Sequence, residues 1–139
     1  MGAWGTGPYD NDTAMDAAAL LADGQYSFDD LVEMFDDDYI EHDAGAEALM
    51  LVEATLATRG LRELPVTEGL TAESISAVVD DTRAAWLVEH APRVLGPGSE
   101  EFELWSESDS FNGWAERAIR SVAELRNILT AVEGQGSLL

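Results

Sequence analysis

Apolar positions along the chain recur with helical rather than strand spacing. Thr13 to Ala22 places Ala14, Ala18 and Leu21 on one face, and Gly24 stands where such a helix would stop. Ser27 with Asp30 has the form of a capping box, after which Phe28, Leu31, Val32, Phe35 and Tyr39 fall at i, i+3, i+4, i+7 and i+11. Asp43 is the expected cap of a third helix running to about Arg59. Its stripe of Leu49, Val52 and Leu56 is widened by Met50, Leu51 and Ala54, a surface broad enough for a central helix. Gly60 fits the position past its end, and Gly60 to Leu70 reads as a loop around Pro65 and Gly69.

Thr71 should cap a fourth helix to about His90, with Ile75, Val78, Val79, Thr82 and Trp86 in phase. Pro92 and Gly96-Pro97-Gly98 form the clearest break. Ser99, Glu100 and Glu101 then supply a cap and an acidic first turn for a short helix with Phe102, Leu104 and Trp105. From Asp109 or Ser110 the longest helix keeps Phe111, Trp114, Ala118, Val122, Leu125, Leu129 and Val132 in register, with Ile119 and Ile128 as a second edge. No comparable stretch alternates apolar and polar residues. The expected fold is all-α, a single-domain bundle over 1–139 of five or six helices, the last packed along the third. Residues 1–12 form a glycine-rich loop with Trp4 turned inward as a plug plus the first helix cap, and 134–139 form a frayed tail.

Charge adds what the pattern does not. The 139 residues hold 28 acids against 7 bases, all arginine, for a net charge of −21. Fourteen of the acids precede Arg59, the first basic residue. Nucleic-acid backbone binding is thereby disfavoured, since it needs clustered Lys or Arg. Cysteine is absent, which removes disulfide and thiolate chemistry, and no apolar run approaches the roughly 20 residues of a membrane span. No basic-then-apolar leader opens the chain, and a cytoplasmic protein is expected.

Trp4-Gly5-Thr6-Gly7-Pro8-Tyr9-Asp10-Asn11-Asp12, followed by Ala14 and Asp16, resembles the opening of a bacterial family known only as a domain of unknown function, DUF4259. Glu103-Leu104-Trp105-Ser106-Glu107, Trp114 and Val122-Ala123-Glu124-Leu125-Arg126 are similar to that family's ending. The resemblance implies a small bacterial cytoplasmic protein and carries no activity, cofactor or catalytic residue.

Candidate chemistry is sparse. Asp12 and Asp16 stand at i, i+4, a like-charge pairing that costs roughly 0.2–0.5 kcal/mol on an isolated helix. With Asp10 they could hold calcium or magnesium, or line the pocket of a small enzyme or ligand-binding domain, although capping explains them more simply. His42 and His90 lack ligand spacing and are expected to be exposed near helix ends. No nucleophile motif and no phosphate loop occurs, so the chain reads as a non-enzymatic protein without a cofactor. Trp86 and Trp114 fall in buried stripes, whereas Trp105, beside the Gly-Pro-Gly break, is the aromatic expected to be partly exposed. The leading expectation is therefore a module binding a basic protein, in the manner of an immunity protein or antitoxin-like inhibitor. Its interaction residues would be Asp29, Asp30, Glu33, Asp36, Asp37, Asp38, Glu41, Asp43 and Glu47, with Trp105 as an apolar anchor.

Overall fold

A computed structural model describes residues 7, 9–64 and 67–137, with side chains as far as 131. Trp4 and most of the opening loop lie outside these residues, and Val132, among the last helix's apolar positions, lies beyond the described side chains. Seven α-helices follow one another: α1 (Asp12–Ala22), α2 (Phe28–Met34), α3 (His42–Thr58), α4 (Ala72–Ser76), α5 (Asp81–His90), α6 (Glu100–Ser106) and α7 (Phe111–Ser137). A 3₁₀ helix (Ala91–Leu95) joins α5 to the Gly-Pro-Gly break. No strand occurs among the described residues.

Helix α3 is the axis. Every other helix packs against it, and nearly its whole surface from Ala44 to Leu56 is buried. That breadth of apolar sequence leaves no face for water, so the other helices must enclose it. Helix α7 runs along α3 as the sequence implies, and also covers α5, α6 and the 3₁₀ helix. Gly45 sets how closely α6 approaches. A Cβ there would stand 2.9 Å from Glu101 Cγ and 3.0 Å from Val94 Cγ1.

Several boundaries differ from the sequence reading, each for a local reason. The single helix expected from Thr71 to His90 is two. Thr71 and Ser74 close a reciprocal capping box on α4, but Asp80 accepts a 2.9 Å hydrogen bond from Arg83 N and starts α5 afresh. Thr82 consequently falls outside the buried stripe. Asp43 does not cap α3: the helix begins at His42, whose N–H is accepted by Glu100 Oε1 at 2.8 Å across the fold. Helix α2 stops at Met34, which leaves Tyr39 exposed, its hydroxyl donating to Glu103 at 2.6 Å. Ile119, expected on a packed edge of α7, is 56% exposed. The first cap is Asn11, whose Oδ1 accepts from Ala14 N at 2.8 Å.

Ile40 makes one bridge to the segment ahead of α6. Ile40 N donates to Gly98 O and Glu100 N donates to Ile40 O, both at 2.8 Å. Gly98 has φ 91, a conformation that favours glycine, and a Cβ there would stand 3.4 Å from Asp38 O. The turn after α2 is thereby fixed to the start of α6.

Candidate functional site

That turn carries the densest charge of the described chain. Asp29, Asp30 and Glu33 on α2 and Asp36, Asp37 and Asp38 in the turn are all exposed, as are Glu41 and Asp43 at the start of α3. Two arginines approach the face, and each spends its strongest contacts on backbone oxygens. Arg93 donates to Phe35 O at 2.6 Å and to Asp37 O at 2.8 Å while its guanidinium lies over the Phe35 ring. Arg83 donates to Val78 O at 2.7 Å, covers the Phe28 ring and reaches Asp29 Oδ1 only at 3.5 Å. The turn is therefore braced from beneath, and its three aspartates carry no ion pair among the described residues.

Glu47 differs from the rest of the predicted face. It is half-buried and accepts a 2.8 Å hydrogen bond from the Tyr26 hydroxyl. Burial raises its carboxyl above the ordinary range; the Tyr26 bond opposes this and the charge of Asp43 adds to it. Thr13 donates to Asp43 Oδ1 at 3.1 Å, and Asp16, Asp43 and Glu47 line a depression of about 180 Å³.

Asp10, Asp12 and Asp16 do not form the cluster the sequence allowed. Asp10 Oδ2 accepts from Gly7 N at 3.0 Å within a tight turn, Asp12 sits exposed in the first turn of α1, and Asp16 faces α3. Among the described residues, no group of three or more His, Cys, Asp or Glu side chains is placed to hold a metal ion. Trp105 is buried, not partly exposed. It stacks on Trp114 with ring centres 5.7 Å apart, because α6 turns that face toward α7. The histidines are half-buried as well: His90 stacks on Trp86 at 4.5 Å, and His42 Nδ1 lies against Glu101 Oε1. Burial raises the Glu101 carboxyl, while His42 and the Trp105 indole act to lower it.

A second charged arrangement escaped the sequence reading. Glu53, in the middle of α3, is 3% exposed. Its Oε1 accepts from Ser121 Oγ of α7 at 2.9 Å, and Arg62 Nε, from the loop after α3, stands 2.9 Å from its Oε2. Arg62 also reaches Glu124 at 2.7 Å, and Arg117 Nε lies 3.7 Å from Glu53. Tyr9, from the opening motif, shares the site; its hydroxyl is buried without a hydrogen-bond partner, and burial beside Glu53 raises its pKa. The signal was present in the sequence: Glu53 is the one charged residue in Leu49 to Leu56, a stretch whose only other polar residue is Thr55, on a helix with almost no free face. A buried charge there requires partners, and arginine lies nine residues on.

The fold and these sites define a small all-α domain with one strongly acidic face and one buried cross-link of charge. The family model described as Domain of unknown function (DUF4259) matches residues 2–117, so the chain belongs to that family. No curated protein and no solved structure matches it. No helix among the described residues is long and apolar enough to cross a membrane.

Proposed function

We propose that this protein is a non-enzymatic interaction module of the bacterial cytoplasm whose acidic face binds a basic protein partner. An immunity protein or antitoxin-like inhibitor is the concrete form. One observation carries the reading: the turn of Asp36, Asp37 and Asp38 is braced by Arg93 through the backbone oxygens of Phe35 and Asp37, leaving all three carboxylates exposed. An arginine placed to neutralise the turn would contact the carboxylates. This one instead holds the turn's shape and leaves most of its charge facing outward.

Eight exposed acids from Asp29 to Asp43 make an electrostatic surface that attracts a cationic partner at long range and loses that attraction as salt rises. Glu47 contributes through its Tyr26 bond as a fixed element beside Asp43 rather than as a freely solvated charge. Trp105 has no part in the surface, being stacked in the core. The test is capture from native lysate after nuclease treatment, washed at low and then moderate salt. A basic protein released by salt, and not captured by the Asp36→Lys, Asp37→Lys, Asp38→Lys variant, is the expected result. Equal capture by that folded variant would overturn the proposal.

A further inference from the structure

Between Asp29 and Asp43 the surface holds one large apolar side chain, Tyr39, which is 40% exposed. Among the described residues it is the only aromatic residue left exposed. Trp105, the anchor that the sequence nominated, is stacked in the core, which leaves Tyr39 as the aromatic this face presents.

The ring is fixed from two sides. Ile40, the next residue, exchanges backbone hydrogen bonds with Gly98 and Glu100, and the Tyr39 hydroxyl donates to Glu103 Oε2 at 2.6 Å. A side chain held in this way loses little freedom when a partner covers it. The Glu103 bond, chiefly, pushes the phenol up to about 12, and the charges of Glu103, Glu100 and Glu41 add to it. Tyr39 therefore sits among carboxylates from α6 and from the start of α3. None of those three makes an ion pair among the described residues.

The same stretch shows what covers such a ring. Of its three aromatic residues, Phe28 lies under Arg83, whose guanidinium carbon is 5.1 Å from the ring centre, and Phe35 lies under Arg93 at 5.7 Å. Each arginine also donates to a nearby oxygen, Arg83 to Val78 O and Arg93 to Phe35 O and Asp37 O. A flat guanidinium can stack and donate in this way at once, whereas a lysine ammonium is a point charge. Tyr39, the third ring, has no cation over it and pairs with no other ring among the described residues.

We propose that Tyr39 anchors the acidic face on an arginine side chain of its basic partner, the guanidinium stacked on the ring and paired with the carboxylate of Glu41 or Glu103. The anchor rests on the function proposed above for that face, and it selects arginine over lysine. An ammonium gains the attraction of the charge, but cannot lie flat on the ring while pairing with a carboxylate through two parallel bonds.

The test measures binding of acetylated, amidated tetra-arginine and tetralysine to the full chain at low salt by calorimetry, and follows the Tyr39 ring protons by NMR. Tetra-arginine should bind about two- to fivefold more tightly and shift those protons further, while tetralysine reports attraction to the charge alone. Tyr39→Leu should erase the difference and leave the tetralysine affinity as it was. Tyr39→Phe, which loses the Glu103 bond but keeps the ring, should retain the preference. Equal affinities for the two peptides, a preference that survives Tyr39→Leu, or one lost equally in Tyr39→Phe would overturn the proposal. If wild type binds both peptides equally and the Asp36→Lys, Asp37→Lys, Asp38→Lys variant binds neither, the acidic face stands and only the anchor fails. If wild type binds neither peptide, both fail.

Discussion

Replacing Glu53 by glutamine keeps the side chain's shape and an acceptor for Ser121 but removes its charge from the centre of the fold. Arg62 then retains Glu124 at 2.7 Å and loses its 2.9 Å contact with α3. The contact is an ion pair without an aligned hydrogen bond to Glu53 Oε2; a charge-assisted contact is worth up to about 1.5–3 kcal/mol, and breaking a fully buried pair costs about 3–5 kcal/mol. Arg62 is 26% exposed on its side chain, so the expected loss lies toward the lower figure, about 2 kcal/mol. In a domain of this size that lowers Tm by roughly 6–10 °C. The change also relieves one of the negative charges that give −21, which acts in the opposite direction. Glu73→Gln, exposed in the first turn of α4, measures that relief and is subtracted. Urea unfolding at neutral pH, followed by tryptophan fluorescence, gives both values, and Arg62→Gln with the double variant completes the cycle. Coupling between positions 53 and 62 should be about 1–2 kcal/mol. A corrected loss for Glu53→Gln below about 0.5 kcal/mol, with coupling inside the same limit, would refute the view that this centre links α3, the Arg62 loop and α7.

Two glycines in helices should respond oppositely to alanine. Gly45→Ala places a Cβ 2.9 Å from Glu101 Cγ and 3.0 Å from Val94 Cγ1, and is expected to cost about 1–3 kcal/mol in urea unfolding despite better helix propensity. Gly113→Ala meets no atom and should stabilise by about 0.5–1 kcal/mol in the same assay. Stability should also depend on pH through Glu47 and Glu101, whose carboxyls are both raised in the fold. A raised acid contributes stability fully below its unfolded value, near 4.5, and loses that contribution as pH climbs through the folded value. Urea midpoints should therefore fall from mildly acidic toward neutral pH. Glu47→Gln, which still accepts from Tyr26, should flatten that fall; an unchanged slope would remove Glu47 from the account.

The fold class and its central helix were legible because hydrophobic period dominates both: α3 is apolar on all sides, and enclosure follows. What was lost lay where side chains act across the fold. Glu100 closes the start of α3 from another helix, and no spacing along the chain encodes such a contact. The start at Asp80 was hidden because the apolar residues on either side, Ile75, Val79 and Trp86, hold one helical phase through the interruption. Trp105 misled because short helices beside Gly-Pro-Gly breaks read as surface, yet its ring fills the space against Trp114. Glu53 was concealed by abundance, as one acid among 28. Its burial is what sets it apart, and burial there follows from the apolar residues around it. The acidic turn, by contrast, was visible as composition alone; the role of Arg93 beneath it needed coordinates.

The central claim is that recognition resides in the braced acidic turn and not in the overall charge. Two variants of equal charge separate these. Each Asp→Lys or Glu→Lys change adds two units, so reversing Asp36, Asp37 and Asp38 moves the chain from −21 to −15, and reversing the exposed Glu68, Glu73 and Glu89 does the same. Capture with wild type and both variants side by side, at one salt concentration, is the most direct measurement. The account predicts that the Asp36–Asp38 variant loses its basic partner while the Glu68, Glu73 and Glu89 variant keeps it. Equal retention or equal loss in the two would contradict it.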